Sequence, residues 1–172
     1  AGKSAEQLIE ILQHLHHAHQ RALATRVNRR KASQVQEALP EANYNAVSRL
    51  LTVGDRPEAP GEPYAVVACA GTSDLSVAEE ASQTLEFLGH RVERLIDVGV
   101  AGVHRLFDKL ATLRGAQVVI CVAGMEGALT SLVGGLVAAP VIGVPTSVGY
   151  GVARGGETAL HAMLASCASG VA

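Results

Sequence analysis

Residues 66–74 read Val-Val-Ala-Cys-Ala-Gly-Thr-Ser-Asp, and this stretch decides the fold. Its apolar half is typical of a strand that is buried on both faces of a parallel sheet. The Gly-Thr-Ser-Asp that follows favours a tight turn and a helix cap, and apolar residues recur at helical spacing over 75–88. A strand, a turn and a helix N-terminus together make an anion site, because unpaired backbone N–H groups point into the turn.

The same strand–helix unit recurs along the rest of the chain. The pattern predicts strands over 64–70, 91–97, 117–123 and 140–145, each followed by a helix, over 75–88, 102–113, 127–138 and 157–166. Four such units with short connections predict an α/β fold with a doubly wound parallel sheet. Ligands of such sheets bind beyond the carboxyl ends of the strands, so the residues that follow these strands should meet in one pocket.

A smaller α/β domain is predicted ahead of this sheet, over residues 1–58. Its expected elements are a helix over 1–23 with a capping box from Ser4 to Gln7, a short strand over 22–27, a helix over 31–39 and a further element over 43–51. Turn-forming residues crowd positions 54–63 and place a domain boundary there, so the second domain should span 59–172.

Four histidines, at positions 14, 16, 17 and 19, lie on the first predicted helix. His16 and His19 are three residues apart and could share a helix face. No carboxylate or cysteine accompanies them at the spacing of metal ligands, so a solvated helix face is favoured over a metal site.

Composition excludes several classes of protein. The 172 residues are 48% apolar and 17% charged, which predicts a folded chain with a sizeable core. The net charge of −2 and the lack of an extended basic patch argue against nucleic-acid binding. Neither a membrane span nor a signal peptide is predicted. The three cysteines have no short paired spacing, which argues against a disulfide framework and indicates a reducing, cytoplasmic compartment.

The residues that follow the first two predicted strands are candidates for ligand binding. Thr72, Ser73 and Asp74 supply more polar groups after Gly71 than a helix cap needs, so they favour a phosphate or carboxylate ligand, although capping alone remains open. Asp97 could cap the next helix or bind a cation or a ribose. The pair at 104–105, His-Arg, is usually a solvated turn, but in this position it fits a substrate clamp.

The residues after the third and fourth strands complete the candidate set. Glu126 stands between Gly124-Met125 and Gly127, directly after an apolar strand. A glutamate at a helix start is commonly a partner of the helix dipole. Here the flanking glycines would let a ligand approach the backbone, and partial burial of the side chain would suit the carboxylate to proton transfer. Thr146-Ser147 follows the last strand in the same way.

The three cysteines differ in setting. Cys69 and Cys121 fall inside predicted buried strands and are interpreted as small core residues. Cys167 follows the last helix among small polar residues, where a cysteine could be an exposed nucleophile. From the sequence pattern alone, a structural role for Cys167 is favoured over a catalytic one.

Several of these motifs resemble known families. Ala-Gly-Thr-Ser-Asp at 70–74, Gly-Val-His-Arg at 102–105 and Val-Ile-Gly-Val-Pro at 141–145 resemble the aminoimidazole ribonucleotide carboxylase/mutase (PurE) family. Residues 70–80, 97–105, 123–129, 145–151 and 166–168 together resemble a related branch, the pyridinium-3,5-biscarboxylic acid mononucleotide synthases (LarB). The likeness covers 60–172 strongly and 2–51 more weakly.

The resemblance implies a PurE-like, flavodoxin-like αβα sheet with three layers and a small, partly truncated N-terminal α/β appendage. LarB sequences carry a further N-terminal segment and an Asp-Asn-Gly-rich tail, so this sequence is expected to be a fragment. The resemblance, together with small apolar helix faces such as residues 133–139, further predicts a homo-oligomer, an octamer by the resemblance.

The implied reaction opens the synthesis of the nickel-pincer nucleotide. The pyridinium ring of nicotinic acid adenine dinucleotide (NaAD) is carboxylated through a cysteine adduct, and its phosphoanhydride is hydrolysed to release AMP. The substrates are then NaAD and CO2 or bicarbonate, with no tightly bound cofactor. A divalent cation such as Mg²⁺ could serve the hydrolysis, with Asp74 or Asp97 as a ligand.

The resemblance also implies roles for residues. It makes Cys167 the thiolate nucleophile and Glu126 the group that handles the proton. Substrate contacts fall to Gly71, Thr72, Ser73, Asp74, Asp97, His104, Arg105, Gly124, Met125, Gly127, Thr146 and Ser147. Two alternatives stay open: an aminoimidazole ribonucleotide carboxylase or mutase, and a catalytically silent nucleotide-binding module.

Overall fold

The computed structural model describes residues 2–172 and divides the chain into two compact units, the first ending at Glu58 and the second spanning Ala59–Ala172. Each unit has its own apolar core. Within the described residues, no helix combines the length and the apolar character that crossing a bilayer would require.

The first unit packs two helices on a small antiparallel sheet. Its elements are α1 (Ala5–His19), β1 (Ala22–Ala24), α2 (Arg29–Ala38), β2 (Asn43–Asn45) and β3 (Leu50–Val53), with the strand order β1-β3-β2. The predicted capping box is confirmed, because the Ser4 hydroxyl accepts from the Gln7 amide and the Gln7 side chain accepts from the Ser4 amide. Its core includes Leu12, Val35 and Leu51.

Three boundaries in this unit were predicted wrongly. The helix expected over 1–23 ends at His19, because Gln20 adopts a left-handed φ of 61°. The strand expected over 22–27 stops at Ala24, and Arg26 beyond it also has a positive φ. The single element expected over 43–51 is a hairpin of β2 and β3. Left-handed turns at residues other than glycine leave little trace in a hydrophobic pattern.

The second unit is built on a parallel sheet of four strands. They are β4 (Tyr64–Cys69), β5 (Arg91–Leu95), β6 (Val118–Ala123) and β7 (Val141–Pro145), in the order β5-β4-β6-β7. The helices are α3 (Leu75–Phe87), α4 (His104–Phe107), α5 (Leu110–Arg114), α6 (Ala128–Gly134) and α7 (Glu157–Leu164). The order reverses between β4 and β6, which is the switch point where such sheets bind ligands. The predicted PurE-like α/β fold is thereby confirmed.

Helices cover both faces of this sheet. Side chains alternate between the faces along each strand, and apolar side chains on both faces pack against helices. Val67 and Cys69 of β4 pack with Ala78 of α3 on one face. On the other face, the larger core cluster joins the strands to α4, α5, α6 and α7 through Val66, Val119, Leu106, Leu113, Leu129 and Met163. The buried strands carry the apolar runs from which the sheet was predicted.

Three helix predictions in this unit need correction. The helix expected over 102–113 is two short helices, α4 and α5, separated at Asp108 and Lys109. The helices expected over 127–138 and 157–166 end earlier, at Gly134 and Leu164. After α7 the chain returns along the edge strand, and Val171 forms a parallel bridge with Val141.

Candidate active site

A cavity of about 460 Å³ lies beyond the carboxyl ends of the strands, within the second unit. Loops after β4, β5, β6 and β7 all contribute to its wall, as the convergence of strand ends predicted. The lining residues are Ala70, Gly71, Ser73, Asp74, Gly99, Val100, Ala101, Ala123, Gly124, Met125, Glu126, Ala128, Leu129, Val148, Gly149 and Tyr150. The volume is in the range that small-molecule sites occupy.

Asp74 is the buried carboxylate of this cavity, with only 4% of its surface exposed. Its Oδ1 accepts a hydrogen bond of 2.6 Å from the hydroxyl of Thr146, and its Oδ2 accepts one of 3.1 Å from the amide of Gly71. The turn after β4 therefore satisfies one of its own amides with an internal carboxylate. This reduces its capacity for the phosphate or carboxylate ligand that the sequence suggested.

A short turn over residues 124–127, the Glu126 turn, follows β6. Met125 and Gly127 have left-handed φ angles of 51° and 65°, on either side of Glu126. The turn is closed by a bond of 2.9 Å from the Gly127 amide to the Gly124 carbonyl. The Glu126 side chain lines the cavity, but it is exposed to solvent, so the expected partial burial was wrong. A left-handed methionine is strained, and such strain persists where the surroundings hold it, often at functional sites.

The loop after β7 packs directly on the Glu126 turn. The Met125 amide donates to the Val148 carbonyl at 3.1 Å. A Cβ at Gly124 would lie 2.0 Å from that carbonyl oxygen, so only glycine permits the approach. The same loop brings Tyr150 to the cavity wall with its side chain largely exposed.

Asp97 and Arg105 contact each other rather than the cavity. The Arg105 guanidinium donates from Nε to the Asp97 carbonyl at 2.5 Å and from Nη2 to the Asp97 carboxylate at 3.2 Å. Asp97 itself has a left-handed φ of 59°. The neighbouring His104 is exposed and is not among the lining residues. The structure therefore brings Arg105 together with Asp97, whereas His104, the other residue of the predicted clamp, is not part of this contact.

Thr72, Ser147 and Gly127 stand next to the cavity without lining it. Thr72 and Ser147 are exposed, whereas Gly127 is buried at the start of α6. Gly71, Ser73, Asp74, Gly124, Met125 and Glu126 are the predicted site residues that the structure brings together at the wall.

Cys167 lies outside this cavity. Helix α7 runs back from the carboxyl ends of the strands: Ala159 is near Gly127, and Val171 beyond the helix pairs with Val141, the first residue of β7. Cys167 falls between these points, on an exposed turn over residues 165–169 that we call the Cys167 turn. Within one chain, Cys167 and Glu126 are therefore not brought together.

The Cys167 turn is anchored to α6. The Ser166 and Ser131 hydroxyls are 2.8 Å apart and share a hydrogen bond, and the Ala168 amide donates to the Ser166 hydroxyl at 3.3 Å. Ala168 also lies against Gly134, at whose position a Cβ would stand 2.8 Å from the alanine Cβ. Helix α6 thus begins at the Glu126 turn and holds the Cys167 turn along its length.

The other two cysteines are poor nucleophiles. Both are fully buried in strands, as the sequence predicted. Burial raises the pKa of the Cys121 thiol to about 12. Burial also raises the pKa of the Cys69 thiol, which donates to the Gly71 carbonyl at 3.3 Å. Thiols of this kind stay protonated at neutral pH and do not attack.

The carboxylates of the second unit do not form a ready cation site. Across residues 2–172, no three His, Cys, Asp or Glu side chains are grouped so that they could hold a metal ion. Asp74 is engaged by Thr146 and Gly71, and the Asp97 carboxylate is engaged by Arg105. These two aspartates therefore fit a divalent cation poorly.

Sequence reasoning missed part of the wall. The cavity is also lined by residues that were not predicted for the site, namely Gly99–Ala101, Val148–Tyr150, Ala128 and Leu129. The glycine-rich character of residues 149–156 was the available signal for the loop. Apolar wall residues carry no such signal, because the same side chains fill any core.

Comparisons with known proteins agree with this division of the chain. A family model described as "LarB/PurE-like N-terminal domain" matches residues 1–55, and one described as "AIR carboxylase" matches residues 65–172. An uncharacterized protein of Methanocaldococcus jannaschii is 51% identical over 105 residues, which make up 60% of this chain and 40% of that relative. The chain therefore spans well under two thirds of the length of this relative.

Proposed function

This chain belongs to the AIR carboxylase family and carries a LarB/PurE-like N-terminal domain, and on this premise we propose that it carboxylates the pyridinium ring of NaAD. The proposal includes hydrolysis of the phosphoanhydride, which yields pyridinium-3,5-biscarboxylic acid mononucleotide and AMP. The substrates are NaAD and CO2, with bicarbonate as its source. The family match supports carboxylation as the type of chemistry, and the charge of the cavity favours this substrate.

The single observation that carries the proposal is the charge of the cavity wall. Of the side chains that line it in the described part of the chain, Asp74 and Glu126 are carboxylates and none is cationic. The rest of the wall is largely apolar, with Tyr150 at one side. A planar cationic ring suits such a wall by charge and by contact with the aromatic side chain. The aminoimidazole ring of the purine substrate is neutral and would lack this attraction.

The electronic demand of the reaction explains why a cysteine is required. A pyridinium carbon is electron-poor and does not attack CO2. When the Cys167 thiolate adds to ring C4, the S–C4 bond forms and the electron pair moves to the ring nitrogen, which neutralises the ring. Carbon C5 is then the nucleophilic end of an enamine, and it attacks CO2 to form the new C–C bond.

Glu126 completes the carboxylation in this proposal. Its carboxylate takes the proton from C5, and the electrons of the C–H bond restore the enamine. The C4–S bond then breaks, the thiolate leaves and the ring regains its aromaticity. A carboxylate on an exposed turn at the cavity wall can reach the ring and pass the proton on to water.

Cys167 must come from a second copy of the chain for this chemistry to occur. It is exposed, and it lies on the turn held by α6 rather than at the cavity. We therefore propose that the homo-oligomer, an octamer by family resemblance, brings the Cys167 turn of one copy to the Glu126 turn of another. Exposed apolar side chains such as Leu164 and Val152 suit such contacts. The apolar run 133–139, by contrast, already buries Val133 in the core of its own chain.

The proposal is tested by mass spectrometry of the products formed from NaAD and ¹³C-bicarbonate by the oligomeric chain. The expected products are AMP and a mononucleotide that carries one labelled carboxylate. Unchanged NaAD, in an assembly shown by mass photometry to be intact, would contradict the proposal. Labelled carboxyaminoimidazole ribonucleotide formed from aminoimidazole ribonucleotide would instead favour the purine reaction, which needs no cysteine because that ring is already electron-rich.

A further inference from the structure

The buried hydrogen bond between Thr146 and Asp74 has a role beyond packing. We propose that Thr146 is a positioning residue that fixes the Asp74 carboxylate at the cavity wall, where its charge selects a cationic ring over a neutral one. The proposed function supplies the pyridinium ligand on which this role rests.

Thr146 has little freedom to turn away. Its amide donates to the Ala123 carbonyl at 3.0 Å, which ties it to the end of β6. A Cβ at Gly124 would lie 2.7 Å from its hydroxyl, and one at Gly156 would lie 2.6 Å from its carbonyl oxygen. Two glycines therefore make room for this threonine, and the backbone around it directs its hydroxyl to Asp74.

The carboxylate of Asp74 is correspondingly fixed. One donor occupies each oxygen, Thr146 on Oδ1 and the Gly71 amide on Oδ2, and these donors come from opposite sides of the switch point. A carboxylate oxygen can accept a second hydrogen bond, so these two donors do not exhaust the acceptor capacity of Asp74. The bond of 2.6 Å between hydroxyl and carboxylate has the length of a charge-assisted bond, the stronger class.

The consequence is selectivity for the charge of the ligand ring. The oxidised and reduced nicotinamide dinucleotides, NAD⁺ and NADH, share the same phosphates, riboses and adenine, and differ in ring charge. The Asp74 carboxylate is a fixed anion at the wall, and the described lining residues include no cationic side chain, so the site should favour NAD⁺ over NADH. If Thr146 did not hold it, the Asp74 side chain would rotate and the preference would weaken.

The test measures binding of NAD⁺ and NADH by calorimetry in a Cys167→Ser background, which prevents covalent adducts. We expect NAD⁺ to bind roughly tenfold more tightly than NADH. Thr146→Val keeps the volume and removes the donor, so the preference should fall to about twofold. Thr146→Ser keeps the donor and should retain the preference. Equal ratios in the Val and Ser variants would overturn the role of the hydroxyl.

A second variant covers the case in which Thr146→Val does not fold. Asp74→Asn keeps an acceptor for the Thr146 hydroxyl but removes the charge, so the assembly should form and the NAD⁺ preference should fall to what the exposed Glu126 carboxylate supplies. A retained preference would overturn the inference. If neither dinucleotide binds and NaAD is not converted, the proposed function fails and takes this role with it. If NaAD is carboxylated but NAD⁺ and NADH bind equally, only the inference about Asp74 and Thr146 fails.

Discussion

Helix α6 contacts two different parts of the second unit. At its start, the Glu126 turn is held by backbone hydrogen bonds, by glycines and by a left-handed methionine, and it lines a cavity with an acidic and apolar wall. Along its length, α6 anchors the Cys167 turn, whose thiol is exposed. The wall of this cavity carries the Glu126 carboxylate but no cysteine, and the Cys167 turn is not part of that wall. If Glu126 and Cys167 act in one reaction, as proposed, then two copies of the chain must bring them together.

The largest expected effect follows from removing the nucleophile. Cys167→Ser should abolish carboxylation, because an alcohol is far harder to ionise than a thiol. Binding of NAD⁺ should persist, since the cavity is unchanged. Product formation from NaAD, followed by mass spectrometry, measures the effect.

Cys69→Ser is the matched control for this loss. Its new hydroxyl can still donate to the Gly71 carbonyl, so activity should be retained in part. If Cys69→Ser abolishes carboxylation while Cys167→Ser leaves it near the wild-type rate, the assignment of the nucleophile is wrong.

The rate of thiol labelling should distinguish Cys167 clearly from the other two cysteines. Iodoacetamide at pH 8 should modify Cys167, which is exposed, and should spare the buried pair. With a pKa of about 12, Cys121 has on the order of one thiolate in 10⁴ at this pH. Raising the pH increases that fraction, so labelling of Cys121 should rise with pH. Peptide mapping that finds Cys121 labelled before Cys167 would show that the exposed turn is closed in the assembly.

Removing the proton acceptor should have a smaller effect. Glu126→Gln keeps the shape of the Glu126 turn and removes a base, so kcat should fall by about 10²- to 10³-fold. The KM for NaAD should change little if the residue acts on the C5 proton. Glu157→Gln, an exposed change at the start of α7, is the control and should leave kcat unaltered. A change in KM alone would give Glu126 a binding role instead.

The smallest effect concerns the support of the Cys167 turn. A Cβ at Gly134 would press on Ala168 and Val171, at 2.8 and 2.6 Å, whereas a Cβ at Gly135 meets nothing closer than 3.5 Å. Gly134→Ala should therefore lower carboxylation several-fold by displacing the turn. Gly135→Ala should leave activity intact and could stabilise the chain by up to about 1 kcal/mol. Equal activities for the two variants would indicate that the turn tolerates displacement.

The sequence predicted the parts of the molecule that apolar patterning controls. The four strands, their order of appearance along the chain and the convergence of their ends follow from recurring apolar runs such as 66–69, whose side chains are fully buried. The positions of Gly71, Asp74 and Glu126 at the cavity follow from the same rule.

The sequence did not predict which partner an individual polar side chain contacts, or which residues adopt a left-handed φ. Arg105 turns to Asp97, and the Thr146 hydroxyl turns to Asp74, although each was expected to contact substrate. No sequence pattern indicates the left-handed conformation of Met125 either. The distance of Cys167 from the Glu126 turn depends on the direction of α7 and on the return of the chain along β7, which only the three-dimensional structure reveals.

The division of the site between copies is tested most directly by mixing two inactive variants. Glu126→Gln and Cys167→Ser chains, unfolded together and reassembled in equal amounts, would place an intact Glu126 turn against an intact Cys167 turn in about one site in four. The account predicts that labelled product reappears at about a quarter of the wild-type rate, while each variant reassembled alone stays inactive. A mixture that forms mixed oligomers by native mass spectrometry and yet makes no product would contradict a site shared between two chains.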